Sequence, residues 1–469
     1  MAAFFLAALL DWKSYLFSFK LMAKKQDKIV YIVSLGCAKN LVDSEVMCGS
    51  LVTHGFYIAE SPEVANIYLV NTCGFIRDAK KESNDFIEEA VAWKKQAHGR
   101  IIVVTGCLAQ RTPGVIQKSY PQVDLIAGLD DVPHLPELIT AYLENAARHE
   151  VSRQLPTYLY TDETPRVALT PGAYAYVKVA EGCDHRCAYC AIPLIRGNQR
   201  SRSPESVERE CRQLLQNGAH ELDFIAQDTS RYGTDLTPQE NLESLLRRCD
   251  RLDGDFWLRV LYTHPLHLTD GLLEVLGNSR HVVPYLDIPL QHISSNVLLG
   301  MRRGMDGDKT RELLAKIRRS YPQLSIRTTF LVGFPGETEK SFQELLEFVK
   351  EFRFDRLGVF AFSPEEGTPA AAMTEGMVPP EVAEQRKQTI MELQAAISLE
   401  KNKAMIGKRL RVLLETPRKS REWEGRTAAD APDVDQFVTI ATKRKYTAPR
   451  FVEAVVEAAD EYSLFASEV

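Results

Sequence analysis

Residues 183–190 read Cys-Asp-His-Arg-Cys-Ala-Tyr-Cys and directly follow Tyr174–Ala180, a short apolar stretch with the pattern of a buried strand. Three thiolates in a C-x3-C-x2-C run can hold three irons of a cubane cluster. The fourth iron then has no protein ligand and stays free to chelate a small molecule, whereas clusters that only pass electrons normally have four cysteines. Zinc is the competing reading. It wants four ligands, usually from C-x2-C pairs, and His185 joins them only if the loop folds back on itself.

Downstream of this loop, apolar segments at Leu222–Ala226, Phe256–Leu261, Val282–Ile288, Ser325–Val332 and Arg356–Phe362 read as further strands, and all but the last are followed by helix-like stretches. With the strand at 174–180 they form an open (β/α)6 barrel of parallel strands, whose loops after the strands hold the site. Gln227 and Asp228 stand after the second strand, and Gly333-Phe-Pro-Gly336-Glu-Thr338 stands between the fifth strand and a helix. The glycines open space near a helix N-terminus, although a plain strand-to-helix turn or a helix cap explains either segment equally well. A long helix from Pro380 to about Lys403 closes the unit. Short strands at Leu410–Leu414, Phe437–Ala441 and Phe451–Ala458 then suggest a small all-β barrel over 401–469.

Upstream, residues 151–171 carry Pro156, Pro165 and Pro171 and read as a linker. Before it, residues 29–150 alternate β-α-β-α in the manner of a parallel α/β domain. Its strands are expected at Ile29–Leu35, Asn66–Asn71 and Ile101–Thr105, and Cys37, Cys73 and Cys107 lie at or just past their carboxyl ends. In a parallel sheet those ends meet at one edge, so three cysteines 36 and 34 positions apart can converge. Each has a glycine neighbour (Gly36, Gly74, Gly106), which lets backbone approach a bulky ligand. Three unrelated buried thiols remain the alternative. Cys48, Cys211 and Cys249 sit within helical patterns and read as ordinary core or surface thiols.

The totals exclude little. A chain of 469 residues has room for several domains, and a formal charge of −6 gives no general sign of nucleic-acid binding. Nine cysteines, an odd number spread widely, fit reduced thiols in a cytosol better than a disulfide scaffold. The apolar run Phe4–Leu10 is too short to span a membrane and lacks a basic lead-in. Residues 1–28 are expected to be a disordered extension or to precede the true start, with Met22 as an alternative initiator.

The C-x3-C-x2-C loop, with aromatic Tyr189 before its last cysteine, resembles the radical S-adenosylmethionine (SAM) signature. Combined with the Cys37, Cys73 and Cys107 set and a small terminal barrel, the chain resembles the radical SAM methylthiotransferases over essentially all of residues 29–467, the terminal part being similar to their TRAM module. The resemblance implies two 4Fe-4S clusters: an auxiliary one on Cys37, Cys73 and Cys107, and one with exchangeable SAM on Cys183, Cys187 and Cys190. Tyr189, Gln227, Asp228, Gly333 and Gly336 are its candidate SAM contacts, and no catalytic residue is assigned beyond the cluster ligands. It further implies that two SAM molecules are consumed per turnover, one as methyl donor and one as radical source, with an outside electron donor and sulfur source.

The segments Ser34-Leu-Gly-Cys-Ala-Lys-Asn40, Asn71-Thr-Cys-Gly-Phe-Ile76, Ala226-Gln-Asp-Thr-Ser-Arg-Tyr-Gly233 and Tyr285-Leu-Asp-Ile-Pro-Leu-Gln-His-Ile293 are most similar to the ribosomal-protein aspartate methylthiotransferases of the RimO type. That implies a substrate in protein twelve of the small ribosomal subunit, modified at an aspartate β-carbon. Ala38 departs from the proline many relatives carry. A tRNA adenosine methylthiotransferase is the runner-up, and a non-catalytic iron-sulfur electron carrier is the alternative of another class. Residues 402–469 hold twelve Lys and Arg against eleven Asp and Glu, too little positive charge for a module that grips RNA. On this reading tRNA is not the partner, and Asp430, Asp433 and Asp435 form an acidic face suited to a basic ribosomal protein.

Overall fold

The computed structural model describes residues 28–145, 149–152, 154–170 and 172–469, so the expectations for the N-terminal extension lie outside the described residues. The first sheet contains β1 (Ile29–Ser34), β2 (Tyr57–Ala59), β3 (Ile67–Thr72), β4 (Ile101–Gly106) and β5 (Leu125–Ile126), all parallel, in the order β2-β1-β3-β4-β5. β3 and β4 read Ile-Tyr-Leu-Val-Asn-Thr and Ile-Ile-Val-Val-Thr-Gly and are buried throughout, as strands covered on both faces must be. Ile87, Ala90 and Trp93 of helix Arg77–Lys94 cover one face. Val42, Val46 and Met47 of helix Ala38–Thr53 cover the other. The sequence pattern missed β2 and β5, which are three and two residues long and too short to show a period.

The second unit is the expected open barrel. β6 (Tyr174–Lys178) is followed by a two-residue antiparallel pair, β7 (Ala180–Glu181) with β8 (Arg200–Ser201), then by β9 (Glu221–Ile225) and β10 (Trp257–Val260). β11 (Tyr285–Asp287), β12 (Ser325–Val332) and β13 (Arg356–Ala361) complete it. Its two three-stranded parallel sheets, β6-β9-β10 and β11-β12-β13, are joined by a bridge between Leu258 and Val282. Alternate residues such as Val177, Leu222, Phe224, Leu258 and Leu286 pack outward against the helices in one apolar cluster. The residues between them (Tyr174, Tyr176, Glu221, Asp223, Arg259, Tyr285, Asp287 and Arg327) face the interior, which is therefore polar.

A second apolar cluster ties three modules together: Val42 and Met47 from the first, Tyr174, Tyr176, Ile225 and Leu261 from the barrel, and Leu413 and Ala431 from the terminal module. The described residues of 151–171 form no helix or strand, yet they are not a loose tether. Arg166 is held between Glu45 of the first module and Glu210 of the second. The terminal module is a closed barrel of β14 (Arg409–Lys419), β15 (Glu422–Thr427), β16 (Phe437–Ala441), β17 (Arg450–Ala459) and β18 (Ser463–Glu468) around Val412, Leu414, Trp423, Val438 and Ile440.

The acidic face expected at Asp430, Asp433 and Asp435 is not free for a partner. All three acids bind the chain's own barrel at the N-terminal ends of its strands. Asp430 is 0 % exposed and paired with Arg356. Asp433 accepts hydrogen bonds from the hydroxyls of Tyr174 (3.1 Å) and Tyr176 (3.0 Å). Asp435, its side chain 2 % exposed, accepts from Tyr285 (2.6 Å) and Arg327 (3.3 Å). Next to them Arg426, also buried, pairs with Glu221 at 2.6 Å and with Glu415. A buried carboxylate needs such partners, and the sequence shows the charge but not the arginine or tyrosine that meets it from far along the chain.

Removing one member of a buried ion pair strands the other. Arg426→Met should therefore destabilise the chain by about 3–5 kcal/mol, whereas Arg411→Ala, which breaks the exposed pair with Asp255, should stay within about 0.5 kcal/mol. Thermal unfolding of both variants beside the parent checks this, and equal midpoints for the two would contradict it.

Candidate active site

At the carboxyl edge of the first sheet, Cys37 caps helix Ala38–Thr53, Cys73 follows β3, and Cys107 opens the short helix Cys107–Arg111 directly after β4. Gly36 has φ +88, and a Cβ there would lie 2.8 Å from the Cys73 sulfur, so only glycine lets the two chain segments approach this closely. Burial pushes the Cys73 thiol up to about 12, with the sulfurs of Cys107 and Cys37 adding to the rise. Held as thiolates, three converging sulfurs need positive charge beside them.

One such cation belongs to the protein. Arg196, fully buried, donates from Nε and Nη2 to the Cys107 sulfur at 3.3 and 3.2 Å. The same guanidinium pairs with Asp43 at 2.9 Å and Glu181 at 2.8 Å. Lys178 joins both acids, and Gln227 donates to Glu181 at 2.6 Å. Burial alone would lower the basicity of Arg196, but Cys107, Glu181 and Asp43 outweigh it and hold the side chain charged.

The second set sits in the loop after β7. Cys183 and Cys187 are buried and Cys190 is nearly so, and burial pushes the Cys183 thiol up to about 11 and that of Cys190 up to about 12. Arg303 lies 3.6 Å from the Cys187 sulfur and is fixed by the Pro289 carbonyl at 2.6 Å. Each three-cysteine set thus has its own buried guanidinium, a donor set suited to thiolates bound to iron. The sets are neighbours: Cys107 shares one small apolar cluster with Leu129, Ile195 and Ala191, the residue after Cys190.

The other residues singled out from the sequence are placed as follows. Tyr189 packs among Ala188, Val297, Met301 and Phe334, beside Cys187 and Arg303. Asp228 is buried, accepts from Ser230 N (3.0 Å), and receives His185 Nε2 at 2.7 Å, so the cysteine-loop histidine is directed at this acid. The Gly333 N–H bonds the Glu337 carboxylate and that of Gly336 the Gly376 carbonyl (2.8 Å), which gives both glycines a turn-forming role. Sequence reasoning missed Arg196, Arg303 and the turn after β10, Tyr262-Thr-His264-Pro-Leu-His267. Tyr262 has φ 63, unusual for a tyrosine, and the Lys39 ammonium stands 3.3 Å over its ring. The available signal was that this turn, like the cysteine loop, follows a barrel strand.

The fold and paired cysteine sets define a radical SAM enzyme, and residues 177–349 match the Radical SAM superfamily model. Residues 29–128 match an uncharacterized protein family, UPF0004, and 406–469 match the TRAM domain. The chain is 42% identical over 435 residues to the ribosomal protein uS12 methylthiotransferase RimO of Desulforamulus reducens, covering 92% of this chain and 98% of that protein. To the protein of the same name from Syntrophotalea carbinolica it is 45% identical over 416 residues, covering 88% and 90%. It belongs to the RimO family of ribosomal protein uS12 methylthiotransferases. The solved radical S-adenosylmethionine methyltransferase TsrM of Kitasatospora setae shares the fold, with a TM-score of 0.53 and 17% identity over 76% of each chain.

Arg196→Ala would leave Asp43 and Glu181 short of a buried partner and the Cys107 sulfur without its donors. The variant should lose stability by about 3–5 kcal/mol and retain less iron per chain than the parent after anaerobic reconstitution. Arg196→Lys, which keeps the charge but not the planar fork, should fall between the two. Parent-level iron and stability in Arg196→Ala would show the network to be incidental.

Proposed function

We propose that this chain is a cytoplasmic enzyme that methylthiolates the β-carbon of an aspartate in ribosomal protein uS12. In this reading, residues 29–150 hold an auxiliary 4Fe-4S cluster on Cys37, Cys73 and Cys107. Residues 172–400 hold the cluster with exchangeable SAM on Cys183, Cys187 and Cys190, and residues 401–469 form the TRAM-like module. The observation that carries the proposal is the adjacency of the two cysteine sets across Cys107 and Ala191 in a chain so similar to RimO proteins. Sulfur delivery needs both sites within reach of one substrate carbon.

When bound and reduced, the barrel cluster supplies the electron that cleaves SAM, one SAM of two per turnover serving as radical source and the other as methyl donor. The protein supplies placement and charge. Arg303 and Arg196 set hydrogen bonds on one sulfur of each set. Lys178, Asp43 and Glu181 hold Arg196 between the modules. Tyr189, with Ala188 and Phe334, forms an apolar wall beside the cysteine loop, while Gln227 and Asp228 line the loop after β9 as polar contacts for SAM. The electron donor and the sulfur source come from outside the chain. No helix among the described residues is long and apolar enough to cross a membrane.

Replacing Cys37, Cys73 and Cys107 together by alanine should remove about half of the iron and sulfide, by ligand count, and abolish methylthiolation while SAM cleavage persists. Replacing any one of Cys183, Cys187 and Cys190 should abolish SAM cleavage. Purified uS12 and unmodified tRNA, offered in parallel under reducing, anaerobic conditions, decide the substrate by mass spectrometry. The methylthio group is expected on uS12. Its appearance on tRNA alone would replace this function with that of a tRNA adenosine methylthiotransferase.

A further inference from the structure

His185, His264 and His267 form a cluster that the cysteine sets do not explain. Their ring centroids are 4.1 Å (His185 to His264), 5.2 Å (His185 to His267) and 5.6 Å (His264 to His267) apart. His185 comes from the loop between Cys183 and Cys187, and the other two come from the turn after β10, so the cluster lies at the carboxyl ends of the strands, beside the SAM-cluster cysteines.

Two features say what the cluster lacks. His264, 4 % exposed, accepts the Leu266 N–H on Nδ1 at 3.2 Å, which puts its proton on Nε2. Nε2 of His264 and Nε2 of His267 are both buried without a hydrogen-bond partner among the described residues. An unmet buried donor such as the His264 Nε2–H is costly, and Nε2 of His267 is a second unpaired ring nitrogen beside it. The second feature is charge. Arg303 and Arg231 both act on His264, while the nearby acids are taken: Asp228 by His185 and Ser230, Asp184 by Arg231 at 3.3 Å. The cluster is short of a negative acceptor.

A metal ion fits less well. The His185 and His264 rings are stacked at 14°, His185 Nε2 is directed at Asp228, and a lone pair on His264 Nε2 would require Nδ1 to give up the Leu266 N–H. A carboxylate answers both shortages, since it brings two acceptor oxygens and one negative charge. Leu266, between the two histidines, is 45 % exposed, so the turn that carries both rings reaches the protein surface, where a side chain brought by a macromolecule would meet it.

We propose that His264 and His267, backed by the His185–Asp228 pair, receive the side-chain carboxylate of the substrate aspartate and so present its β-carbon to the radical site. This rests on the uS12 aspartate reading above. SAM also carries a carboxylate, and the test separates the two sources.

The full chain, reconstituted anaerobically, is titrated with uS12 and with uS12 whose target aspartate is replaced by asparagine. The parent should bind the aspartate form about tenfold more tightly, the scale of losing a charge-assisted hydrogen bond. The doubly substituted His264→Ala, His267→Ala chain should bind both forms alike, with its SAM dissociation constant within about twofold of the parent. His267→Gln, which keeps an N–H donor, should restore part of the discrimination, and it carries the comparison if the double variant loses iron through misfolding. Undiminished discrimination in the variants overturns the proposal. So does SAM affinity that falls in step, which would give the pocket to SAM, or zinc that is retained by the parent and lost with His264. If the parent does not modify uS12 at all, the functional reading fails instead. If it modifies uS12 but binds both forms equally, only the carboxylate seat fails.

Discussion

The guanidinium of Arg196, buried between two carboxylates and a sulfur, is the contact on which the site depends. It grows from the barrel's cysteine loop region, yet it bonds Cys107 and Asp43 of the first module. The shared apolar cluster and the Arg166 pairs also join the two modules, but this bridge is the one that reaches a cysteine sulfur. Buried ion pairs add little net stability over apolar packing, but they are strongly directional, and a half-broken network is costly. Here that directionality sets the two cysteine-bearing edges side by side, with Glu181 and Gln227 extending the same network toward the loop after β9.

A second polar network closes the barrel's opposite end. Its strands carry charged and hydroxyl side chains inward at their starts, and the terminal module meets them with Arg426, Asp430, Asp433 and Asp435. Arg259 adds a bond to the Ala428 carbonyl at 2.9 Å. The terminal barrel therefore stops the amino ends of the strands and leaves uncovered the carboxyl ends, which carry the cysteine loop and the histidine turn. A module whose acids are engaged in this way cannot use them to recruit a basic partner.

Much of this was legible in the sequence, for identifiable reasons. The strands β3 and β4 are near-continuous apolar runs and the barrel strands alternate apolar with polar residues, both punctuated by turns, so their positions show without any tertiary knowledge. Cys183, Cys187 and Cys190 declare themselves by spacing, and Cys37, Cys73 and Cys107 by their places at strand ends. What stayed hidden depends on partners far apart in the chain. Nothing local to Asp430 reveals Arg356, and nothing in Arg196 reveals Cys107. His264 and His267 have no metal-type spacing and stand out only once the fold brings them against His185. β2 and β5 were missed because three or two residues carry no period.

Iron anomalous scattering from crystals of the anaerobically reconstituted chain tests the central claim most directly. The account predicts two iron sites per chain, one bounded by Cys37, Cys73 and Cys107 and the other by Cys183, Cys187 and Cys190, with Arg196 between them. Iron at one set only, or two sites separated by the full width of the barrel, would contradict it.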